Sequence, residues 1–400
     1  MIAIEPIQAD SGAAPAKAHI GQLIEPLEER LAEAALAPGA PASLSTGVAG
    51  ALLVAARIMQ LAPTAARAAR VTRLANAVVD AVTTRPMRIG LWRGLVGALY
   101  ALEFVRSVDN RLLGEHAGAV APFLDEMDET LVEALAQPSR RHEFDLIDGH
   151  CGVGVYALVR SDAAAARRLF EAAEQALERA SEQHVDGRAW AAIAREGTPG
   201  THDLGVAHGS PAVIGLLAHG LRRGIETPRT ALLLEESLSW LRAQENPSLP
   251  HSRFASCCGH RASSRLAWCY GDLGVAAMLA AVAAVRPDPA LDTWWRSLAG
   301  QRIAQPADSW RLEDDALCHG RAGVLHLLRS MIARGWDSPR AHVLARELES
   351  ALADNLPLAQ PAGSHGLLNG WGGALLVLAE SAYGTRAGSI PWHLCLLTPV

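Results

Sequence analysis

The chain has few aromatic residues, no cluster of basic residues and few runs of β-branched residues, and each shortage excludes a class of protein. Phe, Trp and Tyr make up 5% of the 400 residues, whereas hydrophobic residues, with Ala and Leu most evident, make up 50%. This composition favours helices packed through small residues over strands. The net charge is −6, and no Lys/Arg-rich segment provides the electrostatic footprint of a nucleic-acid-binding protein.

Long hydrophobic runs are also missing. The longest uncharged one, LGVAAMLAAVAAV, has 13 residues, whereas a membrane-spanning helix needs about 20. The N-terminal segment MIAIEPIQADSGAAPAKAHI has no basic stretch followed by a continuous apolar core, so it does not read as a secretory signal. We therefore expect a cytoplasmic protein without a transmembrane segment.

Cysteines are too few and too irregularly spaced for a disulfide framework. Six in a chain of this length suit a reducing compartment, where thiols are free or bound to metal. The six are Cys151, Cys257, Cys258, Cys269, Cys318 and Cys395.

A short motif, G-x-x-G or G-x-x-A, occurs seven times along the chain. Each copy precedes an apolar stretch with helical spacing, such as ALLVAARI or ALLVLAES, so each copy predicts the start of a helix. The first glycines lie 47 to 62 residues apart, which suits one helical hairpin per repeat. The motifs lie at 45–50, 92–97, 147–152, 207–212, 269–274, 318–323 and 368–373.

The segments between the motifs are more polar and amphipathic, which is typical of an outer layer with one solvent-exposed face. The simplest arrangement is an all-α, double-layered α/α toroid with seven inner and seven outer helices, in a single domain over residues 1–400. An open solenoid is the alternative, and the seventh repeat, close to the C-terminus, favours closure. We identify no inserted domain; residues 188–197 form at most a short β segment.

The residue before the first glycine is polar in all seven copies. If the inner helices begin at the same end of the toroid, these side chains converge on one mouth and line a pocket there. Thr, Asp and Asn in this column are interpreted as helix N-caps, whereas Arg, His and Tyr are poor caps. The column consists of Thr46, Arg93, Asp148, His208, Tyr270, His319 and Asn369.

Two adjacent repeats carry thiols one position earlier. Cys269 and Cys318 occupy equivalent positions, and His319 follows Cys318 directly. Two thiolates and an imidazole suit zinc, and three protein ligands leave a fourth position for substrate, as in catalytic sites. The alternative interpretation is a buried cysteine that only packs.

A second group of soft donors lies in the segment SCCGH. It contains Cys257, Cys258 and His260. Because adjacent cysteines rarely bind one zinc ion without strain, we interpret this segment as a loop near the mouth that either contacts the substrate or has no role.

Five segments, FDLIDG, DLGVAHG, WCYGDLG, LCHGRAGV and GLLNGWGG, together resemble the lanthionine synthetase C-like (LanC) family, the cyclases of lanthipeptide biosynthesis. The resemblance runs from about residue 43 to 378 and implies an α/α toroid with seven inner helices. It also implies zinc, bound by Cys269, Cys318 and His319. The further active-site residues that it implies are Asp145, His208, Arg265 and Tyr270.

The resemblance implies a reaction in which Cys thiols of a dehydrated precursor peptide add to dehydroalanine or dehydrobutyrine and close thioether rings. His208 is the candidate acid for the resulting enolate. Asp145 would orient or charge that imidazole, with Asp148 as the alternative carboxylate. Arg265 would stabilise the enolate or hold the peptide, and Tyr270 would hydrogen-bond near the metal or pack.

Arg265 lies one helical turn before Cys269, so a helical segment would put both side chains on one face. A solvated or salt-bridged arginine is the alternative.

The implied partners are the precursor peptide, a lanthipeptide dehydratase and an export transporter, and a complex with them would associate the protein with the membrane.

Three other functions compete with a cyclase. One is a related enzyme that adds another thiol, such as glutathione, to dehydroamino acids, and another is a non-catalytic peptide-binding scaffold. The third is a protein prenyltransferase-like α/α barrel. That barrel has six inner helices and an Asp, Cys and His ligand set. This chain instead has seven motifs and a Cys, Cys and His set.

Overall fold

Seven helices begin directly after the first glycine of the seven motifs, and seven others alternate with them along the chain. The computed structural model describes residues 13–138, 143–192, 201–356, 365–384 and 390–399. Within these ranges the helices are α1 (Ala13–Ala35), α2 (Val48–Leu61), α3 (Ala65–Thr84), α4 (Leu95–Asp109), α5 (Val120–Ala136), α6 (His150–Val159), α7 (Ala163–Ala180), α8 (Ser210–Arg223), α9 (Thr230–Ala243), α10 (Asp272–Val285), α11 (Pro289–Ile303), α12 (Arg321–Ala333), α13 (Pro339–Asn355) and α14 (Trp371–Tyr383).

The even-numbered helices form a closed inner ring. Each packs against the next one, and α14 packs against both α2 and α1, which closes the ring. The odd-numbered helices lie outside, each against an inner helix. The prediction of a double-layered toroid with seven inner and seven outer helices is therefore confirmed, and an open solenoid is excluded. None of the described helices combines the length and hydropathy that crossing a membrane requires.

The second glycine of the motif allows neighbouring repeats to come close. A Cβ atom on Gly97 would lie 2.7 Å from Leu44 Cβ, and one on Gly152 would lie 2.8 Å from Leu91 Cβ. Both leucines precede the first glycine of the adjacent repeat by three positions. These two motifs thus pack against the loop of a neighbouring repeat, and a larger residue there would push the repeats apart.

Backbone hydrogen bonds link the loops that precede the inner helices. Each bond joins the position two before the first glycine to its equivalent in the next repeat. Equivalent positions in the sequence therefore become neighbours around the axis. The N–H···O=C pairs are Ser45–Trp92, Trp92–Ile147, Ala207–Cys269, Cys269–Cys318, Cys318–Leu368 and Leu368–Ser45, with N···O distances from 2.8 to 3.3 Å.

The capping prediction for Thr46, Asp148 and Asn369 is wrong. The N-cap of each corresponding helix is the motif glycine, and no side chain caps it. Because glycine occupies the cap, the preceding side chain is directed outward; all three of these residues are exposed. Asp148 forms an ion pair with Arg93 of the neighbouring repeat.

Residues 390–399 pack inside the ring of inner helices. The Trp268 indole N–H donates to Leu396 O (2.8 Å), and the Tyr100 hydroxyl donates to Trp392 O (2.9 Å). His219 of α8 contacts Leu397 O (3.2 Å), and His326 of α12 contacts the Thr398 hydroxyl (3.0 Å). Side chains from four repeats thus hold this segment inside the inner ring.

A two-stranded antiparallel hairpin follows α7. Its strands are β1 (Glu182–His184) and β2 (Gly187–Ala189). The short β segment expected in residues 188–197 therefore extends only to position 189 and begins earlier than expected. Residues 190–192 are not in a strand, and 193–200 lie outside the described residues.

Candidate active site

Three soft donor groups converge at the mouth of the toroid. One ligand atom each from Cys269, Cys318 and His319 lies within 4.8 Å of the others. The backbone bond from Cys269 N to Cys318 O (3.1 Å) holds the two loops together. The structure therefore brings the predicted donors together, and their chemistry fits zinc, which binds thiolate and imidazole ligands.

Asp314 orients the histidine of this group. Its Oδ2 lies 3.0 Å from His319 Nε2, and its Oδ1 accepts a hydrogen bond from Ala316 N (2.9 Å). The carboxylate engages one ring nitrogen, which leaves Nδ1 as the metal ligand, the arrangement found around zinc-binding histidines. A Cβ atom on Gly320 would lie 2.1 Å from Asp314 Oδ1, so glycine gives the carboxylate its space.

The sequence did not identify Asp314 as a site residue. It lies in an irregular loop outside the aligned motif positions, so the repeat register carries no information about it. The available signal was the acidic segment "EDD" immediately before "ALCHG", because a carboxylate is a frequent hydrogen-bond partner of a zinc-bound imidazole.

Charges around the two thiols favour a cation between them. The hydrogen bond with Cys318, followed by the contact with His319, lowers the pKa of Cys269 to about 5. The same sulfur–sulfur hydrogen bond raises the pKa of Cys318. The hydrogen bond to Asp314 raises the pKa of His319 to about 9. The second thiol thus loses its proton readily only when a positive charge compensates the two thiolates, as a bound metal ion does.

Arg265 supplies a fixed positive charge beside the thiols. Its charge acts to lower the pKa of Cys269, Cys318 and Asp314. The segment between Arg265 and Cys269 is not helical, so the condition under which both side chains would share one helix face is not met. The chain instead turns sharply at Gly271, where φ is +115° and a Cβ atom would lie 2.1 Å from Arg265 O.

His208 and Asp145 form the second group of the site. His208 Nδ1 lies 2.5 Å from Asp145 Oδ2, and Asp145 Oδ1 accepts from the backbone N–H of Asp148 (2.8 Å). Burial lowers the pKa of His208, but the hydrogen bond and charge of Asp145, with the charge of Asp203, outweigh it and raise the pKa overall. Of the two candidate carboxylates, Asp145 is therefore the partner of His208.

Tyr270 lies beside this pair. Its ring centroid is 6.5 Å from that of His208, and its hydroxyl donates to Asp203 Oδ2 (2.9 Å). Sequence reasoning missed Asp203, which precedes the fourth motif in the segment "THDLGVAHG" and also contributes to the charge on His208. Tyr270 thus connects the two groups: its backbone follows Cys269, and its ring lies against the imidazole.

A cavity of about 990 Å³ is lined by residues of both groups. Six of the seven predicted site residues line it, and Asp145 lines an adjoining cavity of about 870 Å³ that shares His208 and Tyr270. The predicted mouth pocket is therefore present, and five of the seven polar residues before the first glycines line it; Asp148 lines the adjoining cavity, and Thr46 lines neither of the two. The six site residues are His208, Arg265, Cys269, Tyr270, Cys318 and His319.

The SCCGH segment also lines this cavity, but its donors do not form a metal-binding group among the described residues. Cys258 Sγ donates to Gln244 Oε1 (3.3 Å), and burial raises its pKa to about 11. His260 contacts the Ser256 hydroxyl through Nδ1 (3.3 Å). The segment is therefore a wall of the cavity near the mouth, as predicted.

Comparisons with known proteins agree with this architecture. A search of curated protein sequences gives no match. Among solved structures, the chain is similar in fold to one described as nisin cyclase, with a TM-score of 0.74 and 16% sequence identity over 96% of this chain and 97% of that one. The model of a family described as lanthionine synthetase C-like protein matches residues 39–396. The chain therefore belongs to the lanthionine synthetase C-like family.

Proposed function

We propose that this protein is a zinc-dependent peptide cyclase. It adds Cys thiols of a dehydrated precursor peptide to dehydroalanine or dehydrobutyrine and so forms lanthionine or methyllanthionine rings. The observation that carries the proposal is one cavity of about 990 Å³ that contains both the Cys269, Cys318 and His319 donors and His208. Family membership and the fold shared with nisin cyclase support it.

Cys269, Cys318 and His319 are the residues that would hold zinc. When bound, zinc lowers the pKa of a substrate thiol so that the reactive thiolate exists at neutral pH. Asp314 fixes the orientation of the His319 ring. The two cysteine thiolates would balance the charge of the bound cation, so a substrate sulfur would retain enough electron density to attack carbon.

His208 supplies a proton to the reacting peptide. The sulfur–carbon bond forms at the β-carbon, the double-bond electrons move towards the α-carbon and its carbonyl, and the resulting enolate takes a proton at the α-carbon. Asp145 holds His208 Nδ1, so Nε2 is the nitrogen that delivers the proton. The thiol proton replaces the one that His208 gives up, so the addition consumes no other reactant.

Arg265 and Tyr270 position the reacting groups. The Arg265 guanidinium lines the same cavity as the thiols and provides a positive charge for the enolate oxygen. Asp203 holds the Tyr270 hydroxyl, which fixes the ring against His208.

A peptide with one dehydroalanine and one Cys tests the proposal. Ring closure leaves the mass unchanged, so the product is detected by its resistance to thiol alkylation. We expect the zinc-loaded wild type to accelerate the loss of alkylatable thiol and Cys318→Ala to lose this acceleration. Equal rates with and without protein would contradict the proposal. Glutathione added to the assay distinguishes the alternative enzyme, because a glutathione adduct would form instead of the ring.

A further inference from the structure

A second group of metal-ligand side chains lies behind the wall of the cavity. Glu182, His184 and His202 each place one ligand atom within 4.8 Å of the other two. Glu182 and His184 are alternate residues of β1, so their side chains share one face of the hairpin. His202 comes from the segment after the hairpin, next to Asp203.

The distances are close to those of a metal-ligand set. His202 Nε2 lies 3.2 Å and His184 Nε2 lies 3.8 Å from the same Glu182 oxygen, Oε2. Tetrahedral ligands at bond lengths of about 2.0–2.1 Å lie about 3.3 Å apart. All three ligand atoms lie within 4.8 Å of one another, so the group must contract by a small amount to reach this spacing.

A bound cation would give His184 Nε2 the partner that this atom lacks. Its Nε2 is buried and has no hydrogen-bond partner among the described residues, and such an atom is costly to bury. Two imidazoles and one carboxylate are a nitrogen and oxygen donor set suited to divalent zinc, cobalt or nickel.

The surroundings hold these side chains in place. Trp240 of α9 packs against both imidazoles, with ring centroids 6.1 Å from His184 and 5.4 Å from His202. The hairpin is fixed to the same helix, because Arg188 Nε donates to Glu236 Oε2 (2.6 Å). This aromatic cover and anchored hairpin provide the rigid support that metal ligands need.

We propose that Glu182, His184 and His202 bind a second divalent transition-metal ion, separate from the one at the mouth, which anchors the cavity wall. His202 O accepts a hydrogen bond from Cys258 N (3.0 Å), and the neighbouring Asp203 holds the Tyr270 hydroxyl. A cation on His202 thus ties the hairpin to two segments that line the cavity. Its role is structural.

Cobalt titration tests this site without an activity assay. The Cys269→Ser/Cys318→Ser variant lacks the two thiols at the mouth. We expect it to bind one equivalent of Co²⁺, with visible d–d bands and no sulfur-to-cobalt charge-transfer band. Adding His184→Gln or His202→Gln should abolish this binding. Adding His342→Gln, which changes an exposed histidine of α13, should leave it intact.

Two further measurements guard against misfolded variants. Wild-type protein should bind two equivalents, and Glu182→Gln, which keeps the side-chain volume, should weaken one of them by more than the ~10–100-fold typical for loss of an outer-sphere partner. Co²⁺ should also raise the thermal unfolding midpoint of the double-cysteine variant. No binding by that folded variant, or binding unchanged by His184→Gln and His202→Gln, would overturn the proposal.

Discussion

Asp314 Oδ2 lies 3.0 Å from His319 Nε2, which leaves Nδ1 available as a metal ligand. Because this carboxylate fixes the ring orientation, Asp314→Asn should weaken zinc binding by about 10–100-fold. Competition with a chromophoric chelator measures the change. Asp315→Asn is the matched control, because Asp315 pairs with Arg321 (2.7 Å) instead. Equal affinities in both variants would remove Asp314 from the metal centre.

The pH dependence of catalysis should reveal the His208–Asp145 pair. Asp145 raises the pKa of His208, and catalysis requires the protonated ring, so activity should decline as pH rises through that pKa. Asp145→Asn should shift this decline to lower pH, whereas Asp148→Asn should shift it less. His208→Asn should reduce kcat by about 10²–10⁴-fold. A pH–rate profile that Asp145→Asn leaves unchanged would contradict the assignment.

Gly97, the second glycine of its motif, should tolerate no side chain. Gly97→Val should destabilise the protein by about 1–3 kcal/mol, because a Cβ atom there would lie 2.7 Å from Leu44 Cβ. Gly300→Ala is the control: this helical glycine of α11 has open space around it, and alanine favours a helix by about 1 kcal/mol. Urea denaturation of both variants provides the comparison, and equal stabilities would argue against close packing of the repeats.

Acid should weaken the attachment of residues 390–399. Burial lowers the pKa of His219 to about 4, and that of His326 and His393 to about 3. An unfolded histidine has a pKa of about 6.5, so these neutral rings stabilise the fold above that pH. As pH falls from about 6.5 towards 4, unfolding takes up about three more protons, which costs up to about 4 kcal/mol of stability per pH unit.

Urea denaturation at pH 7.5 and 5.5 tests this expectation. The midpoint should fall at the lower pH, and His393→Asn should reduce the difference between the two conditions. If the midpoint in wild-type protein is the same at both pH values, these histidines titrate alike in the folded and unfolded chain.

The repeat register made much of the fold and the metal centre predictable. Backbone hydrogen bonds between equivalent loop positions turn Cys269 and Cys318, which are 49 residues apart in sequence, into neighbours. The periodic pattern therefore predicted which loop residues are neighbours in the folded chain. It also predicted the polar mouth, although the interpretation of Thr46 and Asp148 as caps failed because the motif glycines occupy the caps.

Other residues of the site could not be found in this way. Asp314 and Asp203 lie in irregular loops, whose paths depend on tertiary contacts and have no period. The loop between Arg265 and Cys269 likewise follows a turn that only a glycine at 271 permits. His202 meets Glu182 only because the hairpin docks on α9, a contact without a local sequence signal.

The central claim is that Cys269, Cys318 and His319 bind zinc. Elemental analysis of protein purified without a polyhistidine tag tests it most directly, after chelation and reloading with one equivalent of zinc per chain. The measurement is made in a His184→Gln background, which removes the second group of donors. The account predicts tight retention in that background alone and with Cys258→Ala, and loss when Cys318→Ala is added. Zinc that His184→Gln does not retain, or that His184→Gln/Cys318→Ala retains equally well, would show that the thiols at the mouth only pack.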